Sequence, residues 1–214
     1  MRAKHILGAI RDSIVAQADR AASVADAAMD VMAQGNIPRV PLFSASVKSL
    51  QFCDAVAERR YKRNVEAFVK ALSDALSRES IDEAIEQIAT VSETAEDFVD
   101  TLMQVLTAGE KPLKCQLMGR LFAAFAEGKI SYDQMHNVML IVLNASIPSL
   151  ESLPTFVQAL RRKNGVYRYR IPQEGLLYSA GLGSRYGDRF SLDEFGKILA
   201  EHGFQEAPVV PRPR

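Results

Sequence analysis

Residues 111–146 read KPLKCQLMGRLFAAFAEGKISYDQMHNVMLIVLNAS, and the order of apolar and punctuating residues in this stretch decides the fold class. Leu113, Leu117, Met118, Leu121, Phe122 and Phe125 recur at steps of three, four and one, which places all six on one stripe of a 3.6-residue helix. Pro112 suits the first turn, where its missing N–H is no loss. Gly128 stops this helix, and Ser131 followed three residues later by Gln134 is a capping box that opens the next. The stretch therefore predicts a helical hairpin with apolar inner faces.

Working outward from it, the pattern stays helical. Residues 2–34 are Ala-rich, with Ile6, Ile10, Ile14, Ala18, Ala22, Ala25 and Met29 at spacings of three and four. They predict a long amphipathic helix whose small side chains allow close approach of a neighbour, including a second copy in a homodimer. Prolines at 38 and 41 make the next segment an extended connector. Residues 46–77 return to helix through Val47, Leu50, Val56, Val65, Phe68, Val69, Leu72 and Leu76. The charged run ERRYKRN within it (58–64) reads as a solvated face. Ser80 and Glu83 form a second capping-box pattern ahead of one helix reaching Leu106, thin in apolar residues between Ile88 and Phe98. Residues from Pro148 or Ser149 onward predict a further short helix ending in Arg161, Arg162 and Lys163, cations that suit a helix C-terminus.

The last fifty residues change character. Residues 166–171, VYRYRI, alternate as a strand does, and 173–183 predict a short helix. The sequence SRYGDRFSL predicts a hairpin turning at residues 186–188, and Ser191 with Glu194 makes a third capping-box pattern before a helix closed by Gly203. The end, APVVPRPR, is a proline-spaced tail. The expected fold is mainly α: a multi-helix bundle over residues 1–150, a small α+β subdomain over 151–207, and a flexible tail over 208–214.

With 214 residues, 48% of them hydrophobic, the chain is long enough for one generous core with an appendage. Twenty-six basic and twenty-six acidic residues cancel, so nothing global points to a nucleic-acid or membrane partner. Locally, residues 154–214 hold ten Lys and Arg against six Asp and Glu. Two cysteines, Cys53 and Cys115, are too few for a disulfide scaffold and read as reduced core residues of a cytoplasmic protein. The N-terminus offers only about five apolar residues before Arg11, too few for an export signal, and no window approaches the ~20 of a membrane span.

Catalytic grammar is missing: the chain has no Walker loop, no dinucleotide fingerprint, no nucleophile elbow, no paired-histidine zinc motif and no C-x-x-C. Glu93, Glu96, Asp97 and Asp100 share one side of a helix, but His5, His136 and His202 lie elsewhere in sequence, so they read as a solvated face and neither metal nor cofactor is expected. Cys115 and His136 fall at opposite ends of the predicted hairpin and make no dyad.

Leu176, Leu177, Gly181, Leu182, Phe190, Leu192, Gly196 and Leu199 match the final part of a winged-helix module, in which a short helix, a Gly-Leu turn and a two-stranded wing precede a closing helix. The C-terminal part resembles that family, except that the helix before the wing is mostly apolar where base-reading side chains would stand. From Ile37 to Ser146 the chain also resembles a group of uncharacterised helical proteins of bacteria and their mobile elements, through its "IP" connector, residues 62–72 and the phrase over residues 114–131. That second resemblance implies no assigned activity, though it suggests a setting in bacteria–phage conflict. The leading expectation is a non-catalytic helical interaction protein that regulates or inhibits another macromolecule. The alternatives are nucleic-acid binding through Arg161, Arg162, Lys163, Arg168, Arg170, Arg185 and Arg189, and an enzyme with an unrecognised site.

Overall fold

A computed structural model describes residues 47–76, 78–89, 92–108, 111–162, 174–187 and 189–206. Among these, eight α-helices and one two-stranded antiparallel sheet are present: α1 (Val47–Ser73), α2 (Arg78–Ala89), α3 (Ser92–Ala108), α4 (Pro112–Ala126), α5 (Tyr132–Asn144), α6 (Ile147–Arg162), α7 (Glu174–Ser179), β1 (Gly183–Tyr186), β2 (Arg189–Leu192) and α8 (Glu194–Ile198). The chain divides into two compact units, one up to Cys115 and one from Gln116. The Ala-rich N-terminal helix, the extended connector, the strand expected at 166–171 and the tail lie outside the described residues.

In the first unit, α1 and α2 both pack against α3. Tyr61, Val65, Phe68 and Leu72 recur along α1 at four, three and four residues, and all are buried. Ile85 and Ile88 of α2, and Phe98, Val99, Leu102, Val105 and Leu106 of α3, are buried as well. The charged run 58–64 is not uniformly solvated: Tyr61 and Asn64 within it are buried, while Arg59, Arg60 and Arg63 are exposed. Asn64 has a structural reason to be inside. Helix α3 ends at Ala108, so the Leu106 carbonyl is one of its last four without an intrahelical donor, and Asn64 Nδ2 donates to it at 3.1 Å.

Two local expectations are corrected here. The single helix from Ser80 to Leu106 is two, α2 and α3. Helix α2 ends at Ala89 and α3 begins at Ser92, within the stretch where the sequence is thin in apolar residues. Ser80 is the third residue of α2 and not its N-cap, because Arg78 and Glu79 are good helix formers and extend the helix upstream.

In the second unit the expected pair of helices is present. After α4, the N–H groups of Gly128 and Lys129 donate to the Phe125 and Ala124 carbonyls at 2.8 and 2.9 Å. Gly128 has φ +70, the left-handed conformation that closes a helix this way. The Ser131–Gln134 capping box forms in both directions, at 3.2 and 3.0 Å. Ser146 starts α6 by accepting from Ser149 N. That helix runs sixteen residues with Pro154 inside it. The core gathers Leu121, Phe122, Met135, Val138, Met139, Val142, Leu150, Leu153 and Phe156. The sheet joins it through Phe190, whose ring meets Phe156 edge to face with centroids 5.1 Å apart.

The hairpin pairs Gly183 with Leu192, Ser184 with Ser191, Arg185 with Phe190 and Tyr186 with Arg189. This register corrects the third capping box. Ser191 is held in the strand opposite Ser184, so Asp193 is the cap, its carboxylate accepting from Gly196 N at 2.8 Å. From Leu199 to Gly203 the closing helix widens into a π-turn, and Arg120 Nη1 donates to the terminal Gly203 carbonyl at 3.0 Å.

Candidate functional site

Of the seven candidate cations, Arg185 and Arg189 are the two whose side chains lie among the described residues. Arg161 and Arg162 end α6; Lys163, Arg168 and Arg170 lie outside the described residues. Arg185 and Arg189 stand one on each strand of the hairpin, but the register separates them. Side chains directly opposite share a face, so Arg185 lies on the face of buried Phe190, and Arg189 on the outer face with Tyr186. Arg185 is also committed: its Nε and Nη2 donate to the two carboxylate oxygens of Glu174 at the start of α7, with both side chains less than a third exposed.

This unit also has a concave surface feature. An open groove of about 440 Å³ lies between α5 and the residues that follow α7. Asn137, Leu140, Ile141 and Asn144 line it at steps of three, one and three, which is one face of α5. Ala145 follows them, the far wall is Ser179, Ala180 and Gly181, and Phe195 of α8 closes it. No charged side chain is among its lining residues. Leu140 is 37% exposed, as is Leu176, which shares a helix face with Ser179 and Ala180.

Each wall is fixed by a nameable interaction. The capping box holds the start of α5, and its Gln134 also donates through Nε2 to Glu194 Oε1 at 2.9 Å, tying α5 to α8. The far wall is set by three backbone bonds, Ala180 N to Leu176 O, Gly181 N to Tyr178 O and Leu182 N to Leu177 O. Phe195 is placed by the Asp193 cap and by close approach of Gly196 to the Leu182 carbonyl.

The groove was not singled out in the sequence, although a signal existed. Residues 138–143 of α5 read VMLIVL, six apolar residues in a row, which is more than one buried stripe requires. Val138, Met139 and Val142 take the core, leaving Leu140 and Ile141 facing the groove.

Nucleophile chemistry finds little support in the first unit. Cys115 is fully buried with Sγ 3.9 Å from the Val105 carbonyl. Burial pushes its thiol up to about 12, the nearby Arg63 and Lys114 charges only partly countering it, so the reactive thiolate is suppressed. Burial likewise pushes the Tyr61 hydroxyl up to about 12, and that hydroxyl has no hydrogen-bond partner among the described residues. Glu96, Asp97 and Asp100 are exposed, and among the described residues no three His, Cys, Asp or Glu side chains are grouped to hold a metal ion. Among them too, no helix is long and apolar enough to cross a membrane. No family model matches this chain, and neither a curated protein nor a solved structure matches it.

Proposed function

We propose that this is a non-catalytic interaction protein, whose C-terminal unit binds a short apolar segment of a protein partner in the groove between α5 and the end of α7 and thereby regulates or inhibits that partner. The observation that carries this reading is the groove's lining: apolar side chains, a partly exposed Leu140 and a rim of Asn137, Asn144 and Ser179, with no charge. Such a lining suits an uncharged side chain presented with its backbone, since Asn137, and the capacity left on Asn144 and Ser179 beyond their bonds to the Leu140 and Leu176 carbonyls, can pair with peptide groups.

The winged-helix likeness supports the same reading. Leu177, Leu182, Phe190, Leu192 and Leu199, all at positions that carry the likeness, are buried, and Gly196 lies against Leu182. The helix before the wing exposes Leu176, Tyr178 and Ser179, a surface suited to a protein and without the Arg, Lys, Asn or Gln side chains that read bases bidentately. One observation favours the nucleic-acid alternative: Tyr186 is 91% exposed beside Arg189 on the outer hairpin face, an arrangement that can stack a base.

A photo-crosslinking residue at position 137 discriminates the two. The expected product is a covalent adduct with one protein, abolished by Leu140→Asp in a chain that keeps its helical circular dichroism. Adducts with nucleic acid, or protein adducts indifferent to Leu140→Asp, would refute the proposal.

A further inference from the structure

We infer that the Glu174–Arg185 pair is a strap that holds α7, and with it the far wall of the groove, in the closed arrangement. Helix α7 has only six residues, too short to persist on its own. Leu177 is its one buried side chain, while Leu176, Tyr178 and Ser179 are exposed. It packs against α6 and β1, and the bidentate pair joins its first residue to the middle of β1. Ser179, Ala180 and Gly181, which form the groove wall, follow without a break. The last turn of α7 therefore keeps its place only while the first is held. A short element with little buried surface opens locally at low free energy, and a partly buried guanidinium–carboxylate fork is the strongest bond fixing this one. Through this strap the wing holds the wall of the groove in place.

The consequence for binding rests on the groove being the recognition site, but the strap itself is tested without any partner, so the two can fail separately. Hydrogen exchange of the full chain reads the amides of Ala180, Gly181 and Leu182, each bonded within this segment, against those of Ala145, the C-cap of α5, and Leu150 of α6. Glu174→Gln is expected to accelerate the first three by on the order of tenfold and to leave the other two unchanged. The exchanged pair, Glu174→Arg with Arg185→Glu, is expected to restore protection. No acceleration in Glu174→Gln overturns the inference, as does a uniform acceleration that includes Ala145 and Leu150. Acceleration that the exchanged pair fails to reverse overturns it too, because the effect would then come from lost packing.

Discussion

Replacing Gly196 with alanine tests the contact that seats Phe195 in the groove. A Cβ at that position would lie 1.9 Å from the Leu182 carbonyl oxygen and 2.9 Å from its carbonyl carbon. An ordinary carbon–oxygen approach is about 3.3 Å, so the two backbones would have to separate by about 1.4 Å. Neither side yields easily. Leu182 is fully buried, its N–H is bonded to Leu177 O, and its carbonyl accepts from Asp193 N at 3.4 Å. Gly196 N is itself bonded to the Asp193 carboxylate. Overpacking of this kind costs about 1–3 kcal/mol, and disturbing the cap adds ~1 kcal/mol. Alanine's better helix propensity returns ~1 kcal/mol, leaving a net loss of about 1–3 kcal/mol. Urea unfolding of the full chain followed by tyrosine fluorescence measures it. Gly128→Ala is the control, since nothing lies within 4 Å of its added Cβ and only the positive φ opposes it, at ~1 kcal/mol. A Gly196→Ala protein as stable as the parent would refute the close approach and the seating of Phe195 derived from it.

Two further outcomes follow from the first unit. Asn64→Ala removes the donor to the Leu106 carbonyl and is expected to lower stability by about 1–3 kcal/mol, measured by the same denaturation; an unchanged midpoint would mean water takes over that carbonyl. Alkaline pH is expected to destabilise the fold, because the Cys115 thiol and Tyr61 hydroxyl are both held up to about 12 when folded. Their stabilisation is intact below the unfolded-state values and is lost as pH rises from roughly 9 toward 12, with a slope approaching ~1.4 kcal/mol per pH unit for each group. Urea midpoints across that range check the sign, and Cys115→Ala should flatten part of the slope.

What the sequence made legible was mostly local. The stripe from Leu117 to Phe125, the Gly128 stop and the Ser131–Gln134 box are each decided within a few residues, and each is realised. The same four-residue pattern misled at Ser80–Glu83 and Ser191–Glu194, because a cap also requires its first residue to sit at a helix boundary. A longer helix took that boundary from Ser80, and strand pairing took it from Ser191. Tyr61 was readable in principle, standing four residues before Val65 on the α1 stripe, but the surrounding charges masked it. The groove was legible only by half. Leu140 and Ile141 show as surplus apolar residues on α5, whereas Ala180 and Phe195 come from elements far along the chain that only tertiary packing brings to them. Nor did any local pattern link Arg185 to Glu174, eleven residues away across a turn.

Electrostatics separates the two recognition readings further. The cationic excess after residue 154 invited a phosphate-binding surface, and only part of that excess falls among the described residues. Lys163, Arg168, Arg170, Arg212 and Arg214, half of those ten cations, lie outside the described residues. Within the described residues from 174 to 206, Arg185, Arg189 and Lys197 stand against Glu174, Asp193, Glu194, Glu201 and Glu206. Arg185 is already neutralised by Glu174. Over residues 174–206 the described carboxylates thus outnumber the cations, whereas binding that depends on counterion release needs the reverse. The uncharged groove feels neither sign strongly. Its binding should therefore change little with salt, whereas any contribution from Arg189 and Tyr186 to a nucleic acid should fall steeply as salt is raised.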